Sequence, residues 1–314
     1  MRIVISLADD ALHRKGAAGQ AQDASLLVRT AATQLARVAH GNDLVIAHAD
    51  GHRTPPAVSH AHDGRTGDAL LAQPLDVERD MGIGYHLELE LRNLLPRSRP
   101  CATLLTMLEV DIDDPAFEHP DQPVGAMFLG ERALAAARAR HWRITQDGIG
   151  YRRVVPNPRP MRLVQSEPLH RLVEQGTVVM CAVGGMPVAA DNRGLHGVEA
   201  HVDHYAGAAL VAEAINADLF VIATDKTGVF LDWGTANSKL LRHGHPSVMR
   251  ELVCSAGAMA PKLQAASHFA ERTGRRAAIG ALADVARLVE GTAGTMISCE
   301  HVDPRGFEGG AVAC

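Results

Sequence analysis

The chain has 314 residues, 46% hydrophobic and 21% charged, enough for one large α/β domain or two smaller ones with an ample core. A net charge of −5 and an aromatic content of 4% give no basic footprint for nucleic acid or an anionic membrane, and few rings on which bases could stack. Five cysteines scattered at 101, 181, 254, 299 and 314, with no Cys-x-x-Cys pair, argue for a reducing cytoplasm; no apolar run reaches membrane length, and the first residues turn polar too soon for a signal peptide.

Residues 2–7 read as a buried first strand, followed by a turn at Ala8-Asp9-Asp10. Apolar positions at Leu27, Val28, Ala31, Leu35 and Val38 have helical spacing over 24–39. Gly41-Asn42-Asp43 ends that helix and 44–47 is a second strand, so the two strands and their crossover form a βαβ unit in a parallel sheet. A turn over 48–53 and a loop over 54–67 precede a helix over 76–95, closed by Pro96, and a third strand over 102–110. From 113 to about 160 the pattern breaks up around one good helix, 131–140, and reads as an insertion or lid. The rhythm resumes with strands at 219–223, 229–231 and 277–279, helices at 262–272 and 284–290, and a final tail after Glu300 that reads as frayed.

The stretch from Gly176 to Glu213 organises the rest. A strand over 177–182 meets a turn at Gly184-Gly185-Met186-Pro187, then a polar cluster ending in Asp203-His204, then a helix over 208–213. Open α/β sheets build ligand sites at the carboxyl ends of their strands in this way. His48, Asp50 and His52 alternate just past the second strand, and the turns carrying Asp9, Asp10, His48, Asp50, His52, Asp203 and His204 should converge.

Five stretches are distinctive: Asp111-Ile112-Asp113-Asp114-Pro115-Ala116-Phe117, the run from Gly150-Tyr151-Arg152-Arg153 to Pro156-Asn157-Pro158-Arg159-Pro160, Gly197-Val198-Glu199-Ala200, Phe230-Leu231-Asp232-Trp233-Gly234 and Ala260-Pro261-Lys262. Together they resemble the carbamate kinases of the amino-acid kinase fold. The resemblance covers roughly residues 1–298 and implies an α/β fold: a three-layer αβα sandwich with an open, mainly parallel sheet. It divides the chain into one kinase-like domain, 1–300, with a small protruding subdomain near 117–160, and a flexible tail, 301–314. It further implies a homodimer and phosphoryl transfer between ATP, with magnesium, and carbamate to give carbamoyl phosphate.

By that resemblance Gly184 and Gly185 cradle phosphate, with Gly51 and Arg153 also on the phosphate or substrate side. Lys262 stabilises the transferred group and meets ATP phosphates, Asp203 organises the site, and Thr224, Asp225 and Lys226 face the nucleotide. Arg152, Arg153 and Arg159 would close over an anion as part of a lid. The family carries Gly-Gly-Asn where this chain has Ala8-Asp9-Asp10, and Asp-Lys-Asp where it has Asp203-His204-Tyr205. It has Thr-His-Gly-Asn-Gly-Pro-Gln where this chain reads Ala47-His48-Ala49-Asp50-Gly51-His52-Arg53. Asp9, Asp10 and Asp50 add negative charge where a phosphate arrives, and His204 replaces a lysine only when protonated.

Three functions follow. The first is a carbamate-kinase-like phosphotransferase acting on carbamate or a related small carboxylate or carbamoyl compound, its activity impaired or altered. The second is an inactive relative that binds a ligand or a partner protein. The third is a metal-dependent enzyme built in the former phosphate pocket from His48, Asp50, His52, Asp203 and His204, whose nitrogens and oxygens suit a transition metal. Each residue also has a plain structural role open to it: Asp203 as a helix cap, Asp225 as a turn former, the arginines and Lys262 as solvated charge.

Overall fold

Strands rich in Ile, Val, Leu and Ala and buried on both faces can only lie inside a sheet covered by helices on each side. The computed structural model, which describes residues 1–7, 9–12, 21–49, 73–184, 187–253 and 256–300, builds that arrangement around an eight-stranded sheet. Its strands run, edge to edge, His243–Gly244, Thr295–Ile297, Arg276–Ala281, Leu219–Thr224, Arg2–Leu7, Asp43–His48, Val178–Ala182 and Cys101–Leu105. All neighbours are parallel except Arg276–Ala281 and Thr295–Ile297, which pair antiparallel.

Strand alternation divides the core into two layers. Val4, Val45 and Val179 pack with helices Ser166–Glu174, His204–Ala214 and Ala260–Thr273. Ile3, Ile5, Leu44 and Ile46 pack on the other face, with helices Ala21–Ala39, Gln73–Leu94 and Val285–Val289. The sandwich, the parallel sheet and the opening βαβ unit are therefore as the sequence indicates. No helix among the described residues is long and apolar enough to cross a membrane.

Local differences have local causes. Asp9 and Asp10 open a short helix, Asp9–Leu12, instead of continuing a turn. The single strand expected over 102–110 is two, Cys101–Leu105 in the main sheet and Leu108–Val110 in a four-stranded sheet. The break at Thr106-Met107 is fixed by side chains: Thr106 Oγ1 donates to the Ala182 carbonyl, and Met107 N donates to Gln165 Oε1 at 2.8 Å. The segment from 113 to 160 is more regular than its composition suggests. Besides helix Glu131–Ala139 it holds a three-stranded antiparallel sheet of Gln122–Phe128, Gly150–Val155 and Ile144–Asp147. Pro187 does not end strand structure but begins a hairpin, Pro187–Asp191 with Gly194–Gly197. Helices Ser166–Glu174 and Pro246–Val253 were not evident in the sequence pattern. Residues 301–314 lie outside the described residues.

Candidate active site

The strand ends at Leu7, His48, Ala182 and Thr224 share one edge of the sheet, and the helix that starts at His204 packs against it. The approach is close because residue 207 is glycine: a Cβ there would sit 2.9 Å from Leu108 Cδ1 and 3.2 Å from the Val183 carbonyl oxygen. Asp203 caps this helix, accepting from Ala206 N at 2.9 Å, so its structural role is real. Burial raises the Asp203 pKa, while the amides of Ala206 and Tyr205 and the charge of Lys262 pull the other way.

His204 has 8% of its surface exposed, and its Nε2 lies 2.9 Å from Ser6 Oγ, a hydroxyl near the end of the first strand, which is buried from Ile3 to Leu7. Its Nδ1 is buried without a hydrogen-bond partner among the described residues. Burial first, then the neighbouring His48, Lys262 and His201, lowers the His204 pKa to about 3. His48 is completely buried at the end of its strand, and neither ring nitrogen has a partner among the described residues. Desolvation lowers its pKa to about 4. Its ring fits because residue 84 is glycine, where a Cβ would come within 3.0 Å of Nε2. At neutral pH both imidazoles are uncharged, so this part of the site offers hydrogen-bonding nitrogen rather than fixed positive charge.

Fixed positive charge comes from Lys262, 5% exposed in the first turns of helix Ala260–Thr273. Its Nζ donates to the Ala258 carbonyl at 3.2 Å and lies 4.7 Å from the centroid of the Tyr205 ring. Tyr205 stacks edge-on with His204, the ring centroids 4.7 Å apart. Lys262 also acts electrostatically on both Asp203 and His204. Lys262, Asp203, His204 and His48 therefore form one interacting cluster.

Thr224 is buried at its strand end, and its hydroxyl lies 3.3 Å from Asp225 Oδ1. Asp225 pairs with Lys226 at 3.0 Å, and Lys226 lies 5.7 Å from the Trp233 ring. Arg153 is held between Glu199, at 2.5 Å, and the Trp142 ring, at 4.7 Å. Arg152 pairs with Asp147 at 2.6 Å, and Arg159 N donates to Asp114 Oδ2 at 3.1 Å. These contacts tie the arginines into the small antiparallel sheet and its neighbours. Gly184 is buried next to the strand Val178–Ala182.

Asp50, Gly51, His52 and Gly185 lie outside the described residues, as do the side chains of Asp9 and Asp10. A transition-metal centre needs at least three convergent ligands. Among the described residues no group of three His, Cys, Asp or Glu is placed to hold an ion. Sequence reading missed Ser6, Gly84, Trp142 and Glu199. Ser6 carried a signal, since it is the one hydroxyl inside the apolar run Ile3-Val4-Ile5-Ser6-Leu7. Gly84 gave none, because its partner His48 lies far away in the chain.

The sequence pattern of the amino acid kinase family matches residues 1–281. The chain is similar to the carbamate kinase of Haemophilus influenzae, with 44% identity over 95% of this chain and 97% of that one. Similarity to the carbamate kinase of Rhizobium meliloti is 39% over 96% and 95% of the two chains. Among solved structures, the carbamate kinase from Giardia lamblia bound to AMP-PNP superposes with a TM-score of 0.83. That match has 26% identity and covers 95% of this chain and 98% of that one.

Proposed function

This chain belongs to the amino acid kinase family and is a phosphotransferase of carbamate kinase type, and from that premise we propose that it moves a phosphoryl group between ATP and carbamate. The observation that carries this reading is Lys262, a desolvated ammonium whose field reaches both Asp203 and His204 at the strand ends. Phosphoryl transfer asks a protein mainly for positioning and for positive charge on the transferred group. An ammonium shielded from water supplies that charge more effectively than a solvated one.

In this reading Lys262 stabilises the oxygens of the transferring phosphoryl group. Asp203 holds the start of helix His204–Ala214 in place and balances the lysine charge. Gly184 lets backbone approach the phosphate, and Thr224, Asp225 and Lys226 meet the nucleotide. Arg153, fixed by Glu199 and Trp142, ties the small sheet to the main body beside the substrate. Magnesium bound with the nucleotide would neutralise phosphate charge. Asp203 and Asp225 are carboxylates that suit such an oxygen-seeking ion. A homodimer completes the proposal, checked by light scattering.

A second reading, a ligand-binding relative with little turnover, is favoured by one observation: His204 and His48 are uncharged at neutral pH. The two separate in a coupled assay that follows ATP from carbamoyl phosphate and ADP. The proposed activity predicts turnover at least a hundredfold above a Lys262→Ala control, from the typical worth of one oxyanion-stabilising group, about two to three decades. Turnover no higher than that control would remove it. A rise in melting midpoint with ADP but no turnover would favour the second reading.

A further inference from the structure

Ser6 and His204 make a buried contact that the carbamate kinase reading leaves unused. Ser6 is fully buried, and among the described residues its hydroxyl has one partner, His204 Nε2 at 2.9 Å. Two arrangements of protons fit that distance. If Nε2–H donates to Ser6, the serine proton is left in the core without an acceptor and Nδ1 becomes a bare acceptor without a donor. If Ser6 donates to Nε2, the serine proton is used and Nδ1 carries the ring proton. Only one group is then left wanting a partner, the Nδ1–H donor, so the second arrangement costs less. A buried donor without an acceptor calls for explanation. Here it lies on the first residue of helix His204–Ala214, whose N-terminal dipole favours an acceptor oxygen, within the field of the Lys262 ammonium.

We propose that His204 is a substrate-binding residue that donates from Nδ1–H to an oxygen of the carbamoyl phosphate or carbamate ligand, and that Ser6 is a positioning residue that fixes the required tautomer. This rests on the proposed function for the identity of the ligand. Where the resemblance places a lysine, this chain uses an uncharged, directional donor. Recognition at this point depends on geometry, and Lys262 is left to supply the charge. A ring locked by Ser6 on one side and by its edge-on contact with Tyr205 on the other has little freedom to turn away. The preorganised donor therefore costs little ordering when the ligand binds.

The test exploits side-chain shape. An asparagine amide places its N–H near the position of Nδ1, whereas a glutamine amide reaches the position of Nε2. Binding of carbamoyl phosphate is measured by calorimetry on wild type, His204→Asn, His204→Gln and Ser6→Ala, with turnover measured beside it. His204→Asn should bind within about threefold of wild type and His204→Gln roughly tenfold more weakly, the usual effect of one buried hydrogen bond. Ser6→Ala removes only a hydroxyl and should fold normally while raising KM several-fold with a smaller change in kcat. Nitrogen-15 spectra of histidine-labelled protein should show His204 protonated at Nδ1 in wild type and a tautomer mixture in Ser6→Ala. A bare Nδ1 in wild type, equal binding by the Asn and Gln variants, or no binding of carbamoyl phosphate by wild type would each overturn the proposal. Wild type that binds carbamoyl phosphate but makes no ATP would sink the reaction instead, and the ranking of the variants would still decide the role of His204.

Discussion

The two ends of the main sheet differ in how their described polar groups are partnered. At the amino ends Arg2, Asp218 and Arg275 form a matched set, although Arg99 Nε has no partner among the described residues. Asp218 accepts from Arg2 N at 2.8 Å and from Arg275 Nη1 at 2.7 Å, and Arg2 Nη1 donates to the Ile215 carbonyl at 3.2 Å. At the carboxyl ends, more deeply buried, both nitrogens of His48 and Nδ1 of His204 have no partner among the described residues. A buried polar group without a partner calls for an explanation, and in the proposed function a ligand supplies it for the two imidazoles. The difference supports the proposal that the ligand meets the carboxyl ends of the strands. It also accounts for the low pKa values there, because the same desolvation that leaves the rings without partners keeps them neutral.

Four changes sharpen or break that contrast. The largest effect is expected from Lys262→Ala, which should lower turnover by about two to three decades while the protein still folds, read by the coupled assay and circular dichroism. Next comes His48→Leu, which replaces an unsatisfied ring with an apolar side chain. Global stability in urea should hold or rise by about 1 kcal/mol, because a buried polar group without a partner costs about 1–3 kcal/mol. Carbamoyl phosphate binding should weaken at least tenfold. A loss of stability with binding intact would make His48 a structural residue and dissolve the contrast.

Acid stability gives the third test. Both rings have folded pKa values below the ordinary 6.5, at about 4 for His48 and about 3 for His204. Below pH 6.5 the unfolded chain binds protons that the folded chain refuses. The stability tied to these groups is thus complete above that pH and is lost as pH falls towards 4 and 3. Each ring contributes a slope of about 1.4 kcal/mol per pH unit inside the window. Urea titrations at pH 6.5 and pH 5 should show His48→Leu losing about 2 kcal/mol less than wild type. Equal losses would mean that the His48 ring is hydrated or already charged. The smallest effect belongs to the opposite end of the sheet. Asp218→Ala should cost about 1 kcal/mol or less, since its ion pair with Arg275 is partly exposed, and should leave kcat and KM unchanged.

How much of this could be read in the sequence follows the same division. The sandwich was legible because strands such as 2–7, 44–47 and 219–223 are continuous β-branched and aliphatic runs alternating with helical periodicity. Asp203 and His204 drew attention as the polar pair before a helix, and Lys262 as part of the family-like stretch Ala260-Pro261-Lys262. The three-stranded sheet between 122 and 155 was not, since Gln122-Pro123-Val124-Gly125-Ala126-Met127-Phe128 carries a proline and a glycine and lacks alternation. The Ser6–His204 contact spans 198 residues of chain. The fit of Gly84 to His48 likewise depends on how a helix lies against a strand end. One-dimensional patterns carry no such information. Of the candidate metal ligands, Asp50 and His52 lie outside the described residues, so only His48, Asp203 and His204 are placed. In the structure His48 ends its strand with its ring packed against Gly84.

The most direct test of the account is a titration of histidine-labelled protein with carbamoyl phosphate, followed through the ring nitrogen signals. The account predicts that His48 and His204 both shift saturably, while His170, beside Arg2 at the other end of the sheet, stays where it was. Unmoved His48 and His204 signals at saturating ligand would contradict it.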